Sequence, residues 1–219
     1  MQASRLPETL SDGEDLTKRN GRNLLAAFAL ATGLCASVVA GPLEDGIDAF
    51  HEKAYAKAAA SWLPLAEKGD AAAQYLLGTL YVEGKGVEQN DATAFMWFQR
   101  AANQGHAGAQ YNLGASYAEG TGVGKSDVDA AKWFLRAANQ GMVFAQLNLG
   151  LLYAAGNGVP QDNVEALKWF ELALFALPAG GARSDVARAM TDITAKMTRE
   201  QIAKAKQRER EWKAQPEVK

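Results

Sequence analysis

The sequence predicts an all-α protein: an α/α solenoid of stacked helix pairs closed by a C-terminal helical cap. Three observations carry that prediction. The chain overlays itself when shifted by 36 residues, so AAAQYLLGTLYVEGKGV at 71–87 matches AGAQYNLGASYAEGTGV at 107–123 and VFAQLNLGLLYAAGNGV at 143–159. Within each copy, the residues identical in all three recur at i, i+3, i+4 and i+7, one face of an α-helix. A glycine-rich stretch then interrupts the spacing at the same place in every copy, where the chain must turn. A fixed period of roughly 20–50 residues marks repeat arrays, whose units bury a continuous core only by stacking.

The first helix of each unit, A, carries Gln74, Leu77, Gly78 and Tyr81, then Gln110, Leu113, Gly114 and Tyr117, then Gln146, Leu149, Gly150 and Tyr153. The second, B, comes from ATAFMWFQRAANQG (92–105), VDAAKWFLRAANQG (128–141) and VEALKWFELALFAL (164–177), where Ala94, Trp97, Phe98 and Ala101 repeat at the same spacing. Asn90, Ser126 and Asp162 precede the B helices and are suited to N-caps, because their side-chain oxygens accept from the first unpaired backbone N–H groups. Gly105 and Gly141 suit the position just past a helix end. Glycine inside a helix costs about 1 kcal/mol relative to alanine. At Gly78, Gly114 and Gly150 that cost is expected to permit a close approach, with Trp97, Trp133, Trp169 and the Phe after each filling the space between pairs.

These units set the domain boundaries at 70–105, 106–141 and 142–177. Residues 41–69 read as a degenerate half-repeat, with a B helix over 54–68, a kink at Pro64, and a short A helix and turn over 46–55. Capping helices are expected over 183–214. Ser184 would cap one with Val186, Met190, Ile193 and Met197 on one face, and Thr198 to Gln201 resembles a capping box opening a charged helix. Residues 215–219 are expected to fray.

Residues 119–126, EGTGVGKS, come close to the phosphate-binding pattern G-x-x-x-x-G-K-[ST]. The first glycine of that pattern falls on Glu119, whose carboxylate would repel a phosphate. The sibling loops GKGVEQND (84–91) and GNGVPQDN (156–163) lack the Gly-Lys-Ser ending. A stretch present three times at equivalent places is architecture.

Composition narrows the chemistry. The net charge is −2, with no overall signature of a polyanion binder. Residues 41–182 hold 9 Lys/Arg against 15 Asp/Glu, and residues 183–219 hold 10 against 6; the basic end reads as a solvated helical cap, and no nucleic-acid partner is expected. The single cysteine, Cys35, excludes a disulfide framework and any multi-cysteine metal site. His51 and His106 lie far apart and read as surface or helix-start residues. No serine has lysine three positions on. No cofactor, metal or catalytic residue is expected.

Residues 1–40 read as an address. Lys18, Arg19 and Arg22 precede an uncharged run from Leu24 to Ala40, and Val38 and Ala40 offer small residues for cleavage before Gly41, the order of a signal peptide. Leu34 is bulkier than the residue a lipoprotein signal places before its cysteine. The run is 17 residues long, so an uncleaved anchor facing the periplasm is the alternative to a periplasmic or secreted protein.

The pattern A-x-x-x-L-G-x-x-Y-x-x-G-x-G-V followed by A-x-x-W-F-x-x-A-A-x-x-G resembles the Sel-one-like repeat family, relatives of the tetratricopeptide repeats. The resemblance covers 70–177 in full. It implies an exported, non-enzymatic scaffold or adaptor that binds a peptide or protein segment in a concave groove lined by the A helices. The A-helix columns that differ between copies, opposite the identical face, would then carry the site: Leu76, Thr79 and Glu83; Asn112, Ala115 and Glu119; Phe144, Asn148 and Leu151. Asn112 and Asn148 are expected to pair with a peptide backbone, and Phe144 and Leu151 to offer an apolar patch. Some cysteine-rich members have been linked to β-lactam binding or hydrolysis, which makes such an enzyme one alternative; a chain cleaved before Gly41 would lack their cysteines. An envelope polysaccharide-binding module is the other, and it would need a row of exposed aromatics.

Overall fold

A computed structural model describes residues 41–217. It contains ten helices in this range: α1 (Pro42–His51), α2 (Tyr55–Glu67), α3 (Ala71–Glu83), α4 (Asp91–Asn103), α5 (Ala107–Glu119), α6 (Asp127–Asn139), α7 (Val143–Ala155), α8 (Asn163–Ala176), α9 (Gly181–Thr194) and α10 (Arg199–Glu211). The fold is all-α. Helices pair in chain order, α1 with α2, α3 with α4, α5 with α6 and α7 with α8, and each B helix also packs on the A helix of the next unit. The cap helices α9 and α10 both rest on α8. The signal-peptide reading of residues 1–40 lies outside the described residues.

The caps follow from the residue types. Asn90 and Ser126 accept from the backbone N–H of Thr93 and Asp129, and Asp162 from those of Val164 and Glu165. Gly105 and Gly141 take the left-handed conformation just past α4 and α6. Thr198 and Gln201 close the capping box at the start of α10.

In each loop the two glycines do different work. Gly120 ends α5 in the left-handed conformation, with its N–H on the Ser116 carbonyl. Gly122 lies so close to the preceding unit that a Cβ on it would stand 2.2 Å from the Asp91 carbonyl oxygen. The loop thus packs backbone against backbone onto the start of α4, and Gly158 does the same to Asp127 at the start of α6. Ser126 is the α6 cap, its hydroxyl 2.6 Å from Asp129. Gly120, Gly122 and Ser126 within the near-phosphate-loop stretch therefore serve to end α5, to seat the loop on the preceding unit and to cap α6.

A glutamine ladder ties unit to unit. Gln74, Gln110 and Gln146 donate through Nε2 to the carbonyls of Ala66, Ala102 and Ala138 at 3.0, 3.2 and 3.3 Å, adding a second donor to acceptors that already take the N–H of Gly69, Gly105 and Gly141 at the end of the preceding B helix. Gln104 and Gln140, at the far ends of α4 and α6, donate back to Gln74 and Gln110, both at 2.7 Å.

Four expectations need correction. The degenerate A helix begins at Pro42, with the proline in its first turn, where a missing N–H costs nothing. Ser184 does not cap α9: the helix starts at Gly181, and the Ser184 hydroxyl instead donates to the Gly180 carbonyl at 3.3 Å. The Arg183 guanidinium, by donating to the carbonyls of Leu174 and Leu177, joins this early start to the end of α8. The tryptophan stripe is uneven: Trp97 and Trp169 are buried, but Trp133 is half-buried, with the Arg136 guanidinium 4.6 Å from its ring centre. Finally, residues 215–217 do not fray. Beyond α10 the chain runs back over the ends of the B helices, with the Gln215 N–H donating to Asn139 and Glu217 bonded to Arg136. The face of α9 is as expected, with Val186 and Ile193 buried and Met190 and Met197 packed beside them.

Candidate functional site

The nine expected partner-binding residues sit on α3, α5 and α7. Leu76, Glu83, Asn112, Ala115, Phe144 and Leu151 are half-buried, and Glu119 is exposed. Glu83 pairs with Lys85 at 2.8 Å. Thr79 and Asn148 are buried, at 6% and 5% exposure. The Thr79 hydroxyl donates to the Leu76 carbonyl of its own helix at 2.6 Å. The Asn148 carboxamide faces the buried Tyr111 phenol without closing a well-formed hydrogen bond, and burial pushes that phenol far above its ordinary pKa. Asn148 therefore does not present its amide to a peptide, contrary to the expectation. Phe144 and Leu151 are partly absorbed into the core below the cap. Leu76 and Ala115 also pack partly against core clusters, so the surface that remains is Asn112 and Glu119 with the outer parts of Leu76 and Ala115.

Comparing copies by identity missed the contact between neighbouring A helices. Tyr75 on α3 stacks on His106 at 4.5 Å and lies over Gly108, where a Cβ would meet it at 3.1 Å. Tyr111 on α5 packs on Phe134 and stands against α7. The signal was present in Gln-Tyr at 74–75 and 110–111, but the third copy has Leu147, so the column was not read as fixed.

An open cleft of about 300 Å³ lies between α8, α9 and α10. Its lining is mainly apolar, including Leu167, Leu174, Met190 and Ile202. Burial, as the largest cause, raises the Glu171 carboxyl above its ordinary pKa, with Lys206 acting in the opposite direction. The cleft hydroxyls of Thr191 and Thr194 donate to carbonyls of their own helix, at 2.9 and 2.8 Å. Among the described residues, no group of three or more His, Cys, Asp and Glu could hold a metal ion, no helix is long and apolar enough to cross a membrane, and no tryptophan or tyrosine is exposed.

Comparison with known proteins accords with this geometry. Residues 71–106, 107–142 and 143–174 each match the Sel1 repeat. A Sel1 repeat protein of Oxalobacter formigenes is similar in structure, with TM-score 0.60 and 37% identity over 68% of this chain and 58% of that one. A protective antigen of uropathogenic Escherichia coli that displays the SLR fold is similar with TM-score 0.53 and 26% identity, over 81% of this chain and 49% of that one. The chain thus spans about half of each of these two structures. No curated protein matches it. With three consecutive Sel1 repeats stacked as helix pairs, the chain belongs to the Sel1 repeat family.

Proposed function

We propose that the protein is an exported, non-enzymatic scaffold that holds a peptide or protein segment of a partner along its A helices. Sel1 repeat proteins are generally protein–protein interaction scaffolds. The observation that carries the reading is a contrast on the A helices. Gln74, Leu77 and Gly78 and their equivalents are the same in every copy and buried, whereas Leu76, Asn112, Ala115 and Glu119 vary and reach the surface. A constant backbone with a variable surface row displays different side chains at fixed spacing, which suits recognition of an extended segment. Asn112 contributes both a donor and an acceptor.

Export rests on Lys18, Arg19 and Arg22 before the apolar run ending at Ala40. The description of one structural neighbour as a protective antigen is in keeping with it. The location is then the periplasm or the medium, with anchoring in the inner membrane by the uncleaved run as the alternative.

Crosslinking in the native compartment, with wild type beside Asn112→Arg/Ala115→Arg, tests the scaffold. A partner captured by wild type and lost from a variant of unchanged melting temperature is the expected result; identical capture by both would refute the A-helix site. N-terminal sequencing of the exported chain is expected to begin at Gly41, and recovery of an intact Met1 terminus from the cytoplasm alone would refute export.

A further inference from the structure

The end of the chain is held by the repeats in the manner of a bound peptide. Trp212 packs edge-on to Trp169, ring centres 6.3 Å apart. The Gln215 N–H donates to the Asn139 carbonyl at 2.7 Å. The Glu217 carboxylate accepts from Arg136 Nε and Nη2 at 2.9 and 2.6 Å and from Gln110 Nε2 at 3.0 Å. The strap passes so close to the turns between units that a Cβ on Gly105 would stand 3.1 Å from Glu217. An aromatic anchor, a main-chain hydrogen bond and a forked grip on a carboxylate are general means of recognising extended peptides.

The receiving groups recur one unit earlier, where the strap does not reach. Gly69, Gln74 and Arg100 stand 36 residues before Gly105, Gln110 and Arg136. Arg100 lies 4.7 Å from the Trp97 ring centre, as Arg136 lies 4.6 Å from that of Trp133. The Gln104 to Gln74 bond and the Gln140 to Gln110 bond are both 2.7 Å. A Cβ on Gly69 would meet nothing within 4 Å. The arginine and glutamine parts of the clamp therefore have the same geometry with and without the strap. A site that is preorganised in this way loses little further entropy on binding.

We propose that this seam of B-helix ends is a binding site for an extended partner peptide carrying an aromatic residue five positions before a carboxylate, and that the strap, residues 212–217, fills it in cis as an internal competitor. Trp169 receives the aromatic residue, the Asn139 carbonyl the peptide N–H, and Arg136 with Gln110 the carboxylate. Because the strap is tethered, it faces the site at an effective concentration on the order of millimolar. A partner must exceed that to displace it, so the contact sets a threshold for binding. The inference goes beyond the A-helix scaffold, since it uses other residues, and neither stands on the other.

The test uses the full-length chain and a fluorescein-labelled, C-terminally amidated peptide EWKAQPE, which copies residues 211–217. The strap is released by Trp212→Ala/Glu217→Gln. The released variant is expected to bind the peptide at least roughly tenfold tighter than wild type. Adding Arg136→Gln should remove the gain, and a peptide ending in Gln should bind correspondingly less. Equal affinity for released and wild-type chains, no dependence on Arg136, or no binding to either would overturn the proposal. Glu217→Gln alone alters one exposed side chain and leaves the helices intact. It should shift affinity in the same direction, and decides the matter if the double variant loses helicity by circular dichroism; no shift there would equally overturn it.

Discussion

The ring of Phe134 occupies the space in which a side chain on Gly114 would begin: a Cβ there would stand 2.7 Å from Cδ1 of the ring. The same relation joins Gly78 to Phe98 and Gly150 to Phe170, at 2.5 and 2.6 Å. It also joins Gly46 to Trp62 in the degenerate first unit. Each A helix thus presents a bare patch of backbone to the aromatic ring of its own B helix, and this pairing sets the distance between the two helices of a unit.

Gly114→Ala separates packing from propensity. In a free helix the change would gain about 1 kcal/mol. Here the added methyl would force the Phe134 ring out of a fully packed interior, and overpacking of that kind costs about 1–3 kcal/mol. The expected result in urea unfolding is a net loss of stability, partly restored when Phe134→Leu is added to make room. A variant more stable than wild type by about 1 kcal/mol would show that the ring can shift without cost.

How far the fold was legible depended on whether the responsible contact repeats. Asn90, Ser126 and Asp162 were legible as caps because they act on neighbours three residues away, and the period placed them at equivalent sites. The Gly46–Trp62 pair was not. Trp62 stands 36 residues before Phe98, but Gly46 stands only 32 before Gly78, because the first loop is four residues shorter and a single shift cannot align both. In the candidate site, identity between copies picked out the side of each A helix facing its B helices. It could not reveal the third face, on which Tyr75 meets His106 and Tyr111 meets Asn148, and so Asn148 was read as exposed. The sequence predicts fraying from residue 215 because polar composition is local information, whereas Arg136 and Gln110 lie 81 and 107 residues away from Glu217.

The glutamine ladder makes a prediction in which the protein supplies its own control. Gln110 is fully buried and joins Ala102, Gln140 and Glu217. Gln110→Ala would remove one bond each from the Ala102 carbonyl, which keeps the Gly105 N–H, and from the Gln140 amide, which keeps the Gly105 carbonyl, at a cost of about 0.5–1.5 kcal/mol per bond. Gln146 occupies the equivalent place, but Ala176 stands in the sequence where the other units have Gln104 and Gln140, and the side-chain bond Gln146 makes among the described residues, to Ala138, is longer at 3.3 Å. Gln146→Ala is therefore expected to cost less. Chemical unfolding of the two variants side by side measures the difference; equal losses would mean that the ladder adds nothing beyond capping the preceding helix.

His106 makes the stability depend on pH in a direction that can be stated beforehand. Its Nδ1 accepts from the Ala109 N–H at 3.2 Å, capping α5, and its ring stacks on Tyr75. Only an unprotonated Nδ1 can accept. Burial, the largest cause, lowers the pKa from its ordinary 6.5, against the opposing charge of Asp70. The folded state thus favours the neutral ring. Its contribution is complete above about pH 6.5, where the unfolded chain is neutral too, and is lost as the pH falls through the depressed folded value. His106→Asn keeps an N-cap without a titrating group. Between pH 7.5 and pH 5 the melting temperature of wild type should fall further than that of this variant, since every other titrating group is common to both. Parallel falls would mean that folding does not favour the neutral imidazole, and would remove His106 from any account of acid sensitivity.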